Sequence, residues 1–134
     1  MTSSQSQCEI LRSSPPGSSR LRHILVIDSD ADVAEIMRAV LEGDGAYRVS
    51  CVARAEETRI AARRDRPDAA ILEATTSHGA SLALADELAG LGARVLITAG
   101  DPDSVRLLRR TGHRFLQKPF RLAALLAEIA ALCG

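Results

Sequence analysis

Residues 24–30 read Ile-Leu-Val-Ile-Asp-Ser-Asp, an apolar, β-branched run that stops at three polar residues. Such a run is typical of a strand that is buried on both faces of a sheet. Three more short runs end at a side chain with chemistry to offer: 69–72 at Glu73, 95–97 at Thr98 and 115–117 at Lys118. Neighbouring parallel strands bring such residues to the carboxyl edge of the sheet, where open α/β folds place their sites. We therefore expect Asp28 and these three residues to form one site.

Helical patterns separate the strands and predict an α/β fold. Strands are expected at 23–28, at 47–52, between Pro67-Asp68 and Glu73, at 94–98 and at 114–117. Helices are expected from Ser29 or Asp30 to Gly43, at 55–66, at 81–91, from Asp101 onward and at 121–132. Each connection is long enough for a right-handed crossover. The pattern therefore predicts one doubly wound, five-stranded parallel sheet with helices on both faces.

Composition and charge favour a cytoplasmic, single-domain protein. The 134 residues are enough for one domain with its own hydrophobic core. We expect this domain to span residues 22–134 and the Ser-rich residues 1–21 to form a disordered tail. Because the formal net charge is zero, we expect neither nucleic acid nor a membrane as a partner. Three widely spaced cysteines predict reduced thiols and no cysteine metal site. No apolar run approaches the length that spans a membrane.

Lys118 is the only lysine in the chain, against sixteen arginines. Arginine cannot replace a compact, mobile ammonium where a point charge is needed. The retention of one lysine, at the end of a predicted strand, therefore indicates a function for Lys118.

The order of elements over about 22–133 resembles the receiver domain of two-component response regulators. Asp28, Thr98 and Lys118-Pro119 match that family's motif positions. The resemblance implies a flavodoxin-like strand order of 2-1-3-4-5. Two positions depart from the family: Ser29 replaces the second member of an acidic pair, and Glu73 replaces the phosphoryl-accepting aspartate. The sequence therefore predicts a receiver fold with impaired chemistry.

The resemblance also implies a Mg²⁺ site, and the departures predict that it is weak or absent. By the family pattern the ion would lie near Asp28 and contact positions 29 and 73 and the backbone carbonyl of Thr75. Ser29 offers a neutral hydroxyl where Mg²⁺ favours a carboxylate oxygen. Asp30 could compensate, unless it is engaged as the cap of the following helix.

Glutamate carries its carboxylate one methylene further than aspartate does. We therefore expect Glu73 to reach toward Lys118 and Thr98 and to form a permanent ion pair with Lys118.

Other positions of the family pattern also differ here. Phe115 occupies the position of the family's aromatic switch, and its side chain has no hydroxyl. In the loop at 74–80, Ser77 stands at the family's usual proline position, and His78 is expected to be a surface residue.

The resemblance implies a single-domain signalling module of a phosphorelay, not an enzyme, that acts by protein–protein contact with impaired or absent phosphorylation. Its expected partners are a histidine kinase, a phosphotransfer protein or an effector. The fourth and fifth helices, with Arg106, Arg109 and Arg110, form the candidate surface for a homodimer. Arg59, Arg63 and Arg66 are expected to form a solvated stripe on one helix.

Three alternatives were weighed against this interpretation. The first is a receiver that accepts a phosphoryl group on Glu73. The second is a haloacid-dehalogenase-like phosphatase, because Asp28-Ser29-Asp30 resembles that superfamily's D-x-D motif, which Thr98 and Lys118 would extend. The presence of Asp32 and the immediate start of a helix after the motif disfavour the interpretation as a phosphatase. Nucleotide or flavin binding is disfavoured because no glycine-rich phosphate loop follows a strand.

Overall fold

Five parallel strands and five helices alternate in the computed structural model, which describes residues 21–74 and 78–134. The strands are β1 (Arg22–Ile27), β2 (Tyr47–Val52), β3 (Ala69–Glu73), β4 (Arg94–Ala99) and β5 (Phe115–Gln117). The helices are α1 (Ala31–Gly43), α2 (Ala55–Arg64), α3 (His78–Gly90), α4 (Pro102–Thr111) and α5 (Leu122–Cys133). Within these residues, no helix is long and apolar enough to cross a membrane.

The sheet has the strand order β2-β1-β3-β4-β5. All four neighbouring pairs are parallel, with Ile27 beside Leu72 and Glu73 beside Thr98 at the carboxyl ends. Both the doubly wound parallel sheet and the strand order implied by the resemblance are confirmed.

Side-chain alternation divides the core into two halves, one on each face of the sheet. Ile24, Val26 and Leu96 pack with buried residues of α1 and α5 on one face. Leu25 and Ile97 pack on the other face with buried residues of α2, α3 and α4. The strands are therefore covered on both sides, and only their ends remain open for a site.

The helix after β1 begins at once because Asp30 caps it. Asp30 Oδ1 accepts hydrogen bonds from the backbone N–H groups of Asp32 at 2.9 Å and Val33 at 3.3 Å. A side-chain oxygen that binds these otherwise unpaired donors is the usual signal for a helix start. Of the two caps that the sequence allowed, the structure uses Asp30.

Two predicted helix boundaries were wrong. The third helix begins at His78 instead of Ser81, and Ser81 is buried within it. The second helix ends at Arg64, and Asp65 is already extended. The residue before a proline avoids helical geometry, so Pro67 keeps Arg66 out of the helix. The expected arginine stripe therefore lacks Arg66, and its Arg59 is bound to Glu87 by two hydrogen bonds.

Some sequence predictions lie outside the described residues. These are the disordered tail, apart from its last residue, and the roles of Thr75 and Ser77. The predicted surface exposure of the His78 side chain also falls outside them.

Candidate functional site

The ends of four strands place Asp28, Glu73, Thr98 and Lys118 at one edge of the sheet. Each residue continues the alternation of strand residues that face α1 and α5, as Val26, Ile71, Leu96 and Leu116 do. Two backbone bonds extend the ladder past the strands: Asp28 N–H donates to Val52 at 3.1 Å, and Lys118 N–H to Ala99 at 2.7 Å. The convergence expected from the four apolar runs is therefore present.

Lys118 lies between two carboxylates. Its Nζ is 3.3 Å from Oε2 of Glu73 and 3.4 Å from Oδ2 of Asp28. The predicted ion pair with Glu73 is thus formed, but the ammonium is shared with Asp28. The Lys118–Pro119 peptide bond that follows is cis.

Ser29 holds the second oxygen of Glu73. The Ser29 hydroxyl donates to Glu73 Oε1 at 2.9 Å, and the Ser29 backbone N–H donates to the same oxygen at 3.1 Å. The two residues that depart from the receiver pattern are therefore bonded to each other. The sequence indicated Ser29 as a candidate helix cap or as the replacement of a metal ligand, and its role as a hydrogen-bond donor to Glu73 was not predicted.

Burial governs the acidity of Asp28. The residue is 2 % exposed, and this desolvation raises the pKa of its carboxyl from the ordinary 3.8. The N–H of Asp30, which donates to Asp28 Oδ1 at 2.9 Å, works in the opposite direction. The negative charge of Glu73 raises the pKa further, and Lys118 offsets part of the rise.

The pKa of Glu73 shifts the other way. Burial acts to raise it, but the two hydrogen bonds from Ser29 and the charge of Lys118 together lower it below the ordinary 4.5. Glu73 is therefore held as a carboxylate by donors that this site provides.

Thr98 does not join this network. Its side chain is fully buried, and among the described residues its Oγ1 has no hydrogen-bond partner. Glu73 therefore makes no hydrogen bond to Thr98, and its carboxylate is held by Ser29 and Lys118. Phe115 is half-buried against the core half that contains Ile97, on the opposite face of the sheet from Thr98.

The residues present do not fit the Mg²⁺ ion that the receiver resemblance implies. Mg²⁺ takes near-octahedral oxygen coordination, but Glu73 Oε1 already accepts two hydrogen bonds, from the hydroxyl and the N–H of Ser29. The Lys118 ammonium lies within 3.4 Å of an oxygen of Asp28 and of Glu73, where it would repel a divalent cation. Asp30 is engaged as the helix cap and does not compensate for Ser29. Among the described residues, no group of three or more His, Cys, Asp or Glu side chains could hold a metal ion.

A small cleft gives access to this network from outside. It has a volume of about 110 Å³ and is lined by Asp28, Ser29 and Glu73, together with residues at the starts of α2 and α3. Glu73 is therefore only partly shielded, and a small phosphoryl donor could approach its carboxylate.

Solved structures of response-regulator receiver proteins are similar to this chain. A response regulator from Thermotoga maritima matches with a TM-score of 0.72 and 19% identity, over 85% of this chain and 98% of that one. A response regulator receiver protein from Burkholderia phymatum has a TM-score of 0.70 and 25% identity, over 84% and 95%. A CheY-like receiver domain protein from Methanospirillum hungatei JF-1 has a TM-score of 0.70 and 21% identity, over 84% and 93%.

No protein-family model matches the sequence, and no curated protein does. The similarity to solved structures therefore lies in the fold. By strand order, helix order and superposition, the chain has the fold of response-regulator receiver domains. The fold expected from the sequence resemblance is confirmed.

Proposed function

We propose that the chain is a receiver-type signalling module of a two-component or phosphorelay system and that its phosphorylation is impaired or absent. The observation that carries the proposal is the state of Glu73 at the phosphoacceptor position. Ser29 binds one of its carboxylate oxygens, and Lys118 binds the other. A phosphoryl acceptor must present a free oxygen in line with the donor, and a displacement of about 1 Å can cost ~10²-fold in rate.

Such a module acts by contact with other proteins in the cytoplasm and catalyses no reaction of its own. The receiver fold supports a histidine kinase, a phosphotransfer protein or an effector as the partner. The face formed by α4 and α5 is the proposed surface for a homodimer. Arg106 and Arg110 are exposed on α4, where Arg106 pairs with Asp103 of the same helix.

Incubation with a small-molecule phosphodonor and Mg²⁺, followed by intact-mass measurement, tests the proposal. We expect no adduct of about 80 Da, the mass of one phosphoryl group, on the unmodified chain. Glu73→Gln is the negative control because it keeps the side-chain length but removes the nucleophilic oxygen. The double variant Ser29→Asp/Glu73→Asp is the positive control, and we expect it to form the adduct.

The alternative of a working phosphoacceptor rests on the cleft that opens beside Glu73. It predicts the opposite result in the same experiment. A stable adduct mapped to Glu73, with a yield equal to that of the double variant, would establish the alternative and reject impaired phosphorylation.

A further inference from the structure

The bond between Ser29 and Glu73 depends on the length of the glutamate side chain. Strands β1 and β3 are paired up to Ile27 and Leu72, so position 29 lies one residue beyond the point that faces Glu73. Glu73 spans this offset and accepts the Ser29 hydroxyl at 2.9 Å. An aspartate would be shorter by one carbon–carbon bond, about 1.5 Å, and its oxygen would fall outside the ~3.0 Å limit of an O–H···O bond.

The charges at this edge are compensated without a metal ion. Asp28 and Glu73 supply two negative charges, and Lys118 supplies one positive charge within 3.4 Å of both. The remaining charge is met by three neutral donors: the hydroxyl and N–H of Ser29 and the N–H of Asp30. A divalent cation at Glu73 Oε1 would have to displace the Ser29 hydroxyl hydrogen from that oxygen. It would also lie near the Lys118 ammonium, which repels it.

We propose that Ser29, Glu73 and Lys118 form a metal-independent clamp, which keeps the carboxyl edge in one arrangement and does not respond to divalent cations. Ser29 and Lys118 each hold one oxygen of Glu73, so the ends of β1, β3 and β5 are joined by side chains of the chain itself. The clamp concerns the same site as the proposed function, but it is defined by ion binding and can be tested apart from phosphoryl transfer.

Substitution of Ser29→Asp should convert the clamp into an ion-dependent site. A third carboxylate beside Asp28 and Glu73 adds repulsion when no cation is present. We expect this variant to unfold at a lower temperature than the unmodified chain in a chelator. Millimolar Mg²⁺ should raise its midpoint, because a ligand that binds only the folded state stabilises it. The unmodified chain should show the same midpoint in both buffers, with NaCl used to match ionic strength.

Mn²⁺ titration followed by electron paramagnetic resonance tests the unmodified chain directly, whether or not the variant folds. We expect all added Mn²⁺ to remain free throughout a titration of the unmodified chain. A folded Ser29→Asp variant should remove Mn²⁺ from solution at the same protein concentration. Bound Mn²⁺ on the unmodified chain, or a midpoint that Mg²⁺ raises as much as it does in the variant, would overturn the clamp. Ion binding without a phosphoryl adduct would overturn the clamp alone, and an adduct formed without ion binding would overturn only the proposed function.

Discussion

Asp28 and Glu73 share the ammonium of Lys118, yet their pKa values move in opposite directions. The difference lies in what surrounds each carboxyl. Asp28 is buried under the sheet edge, whereas Glu73 receives two hydrogen bonds from Ser29. At the scale of single residues, Ser29 therefore does more than fill the place of a lost metal ligand. It stabilises the charged form of the glutamate.

We expect Glu73 to contribute stability at neutral pH that is lost in acid. Its pKa in the folded chain is lowered from 4.5, so the contribution is fully present above pH 4.5 and disappears as pH falls through the folded pKa. Glu73→Gln removes this titration. It should reduce the free energy of unfolding at neutral pH and flatten its fall below pH 4.5, as measured by urea unfolding at a series of pH values.

Asp28→Asn provides the control because the sign is reversed. The pKa of Asp28 is raised from 3.8, so its charged form costs stability above the folded pKa, and the cost is relieved as pH falls toward 3.8. Because Asp28→Asn has no carboxyl to protonate, it lacks this gain in acid. Its free energy of unfolding should therefore fall more steeply with decreasing pH than that of the unmodified chain. An acid limb that is the same for Glu73→Gln and the unmodified chain would contradict the assignment for Glu73.

The sequence predicted some of these contacts and missed others for a physical reason. The meeting of Asp28, Glu73 and Lys118 follows from the ends of parallel strands, so backbone geometry alone is enough to predict it. The direction of a carboxylate within the site depends on which donors compete for it. Ser29 offers two donors to Glu73, and the pairing of the strands alone does not reveal this contact.

At the scale of elements, the start of α1 determines which residues can serve the site. Asp30 follows Ser29 directly, and its carboxylate is used by the backbone N–H groups of the first helical turn. The helix cap therefore removes from the site the one nearby carboxylate that could have compensated for Ser29. The polar residues at this turn were recognisable as a helix start, but only the structure distinguishes Asp30 from Ser29 as the cap.

Replacement of Asp30→Ala should destabilise the chain by about 1 kcal/mol, the usual cost of losing a helix N-cap. The matched control is Asp30→Ser, which keeps a capping oxygen and should unfold within a few tenths of a kcal/mol of the unmodified chain. Urea unfolding of the three proteins measures the difference. Equal stability of the alanine and serine variants would show that the cap does not support α1.

The sequence pattern predicts the order of the elements better than it predicts where each helix begins and ends. The alternation of strands and helices along the chain followed from apolar runs and was correct for all five strands and five helices of the described residues, whereas the order of the strands in the sheet was implied by the resemblance. Helix α3 begins at His78, three residues before the predicted Ser81, because His78 and Gly79 have neither a capping nor a large apolar side chain to indicate a helix start. Helix α2 ends at Arg64, two residues before the predicted end, because Pro67 disfavours helical geometry at Arg66.

At the scale of the whole molecule, the two faces of the sheet pack the core, and its carboxyl edge forms the candidate site. Leu96 and Ile71 in the sheet centre are almost completely buried, and helices cover both faces. The carboxyl edge of the sheet, where Asp28, Ser29, Glu73 and Lys118 meet, lies outside these two core halves. The fold is shared with the solved structures named above at identities of 25% or less.

A crystal structure determined with Mg²⁺ and a phosphoryl mimic tests the central claim most directly. We predict that the Ser29 hydroxyl remains within hydrogen-bond distance of Glu73, that Lys118 still joins Glu73 and Asp28, and that neither ion nor mimic is bound. A Mg²⁺ ion between Asp28 and Glu73, with Ser29 turned away and the mimic on the Glu73 carboxylate, would contradict the account.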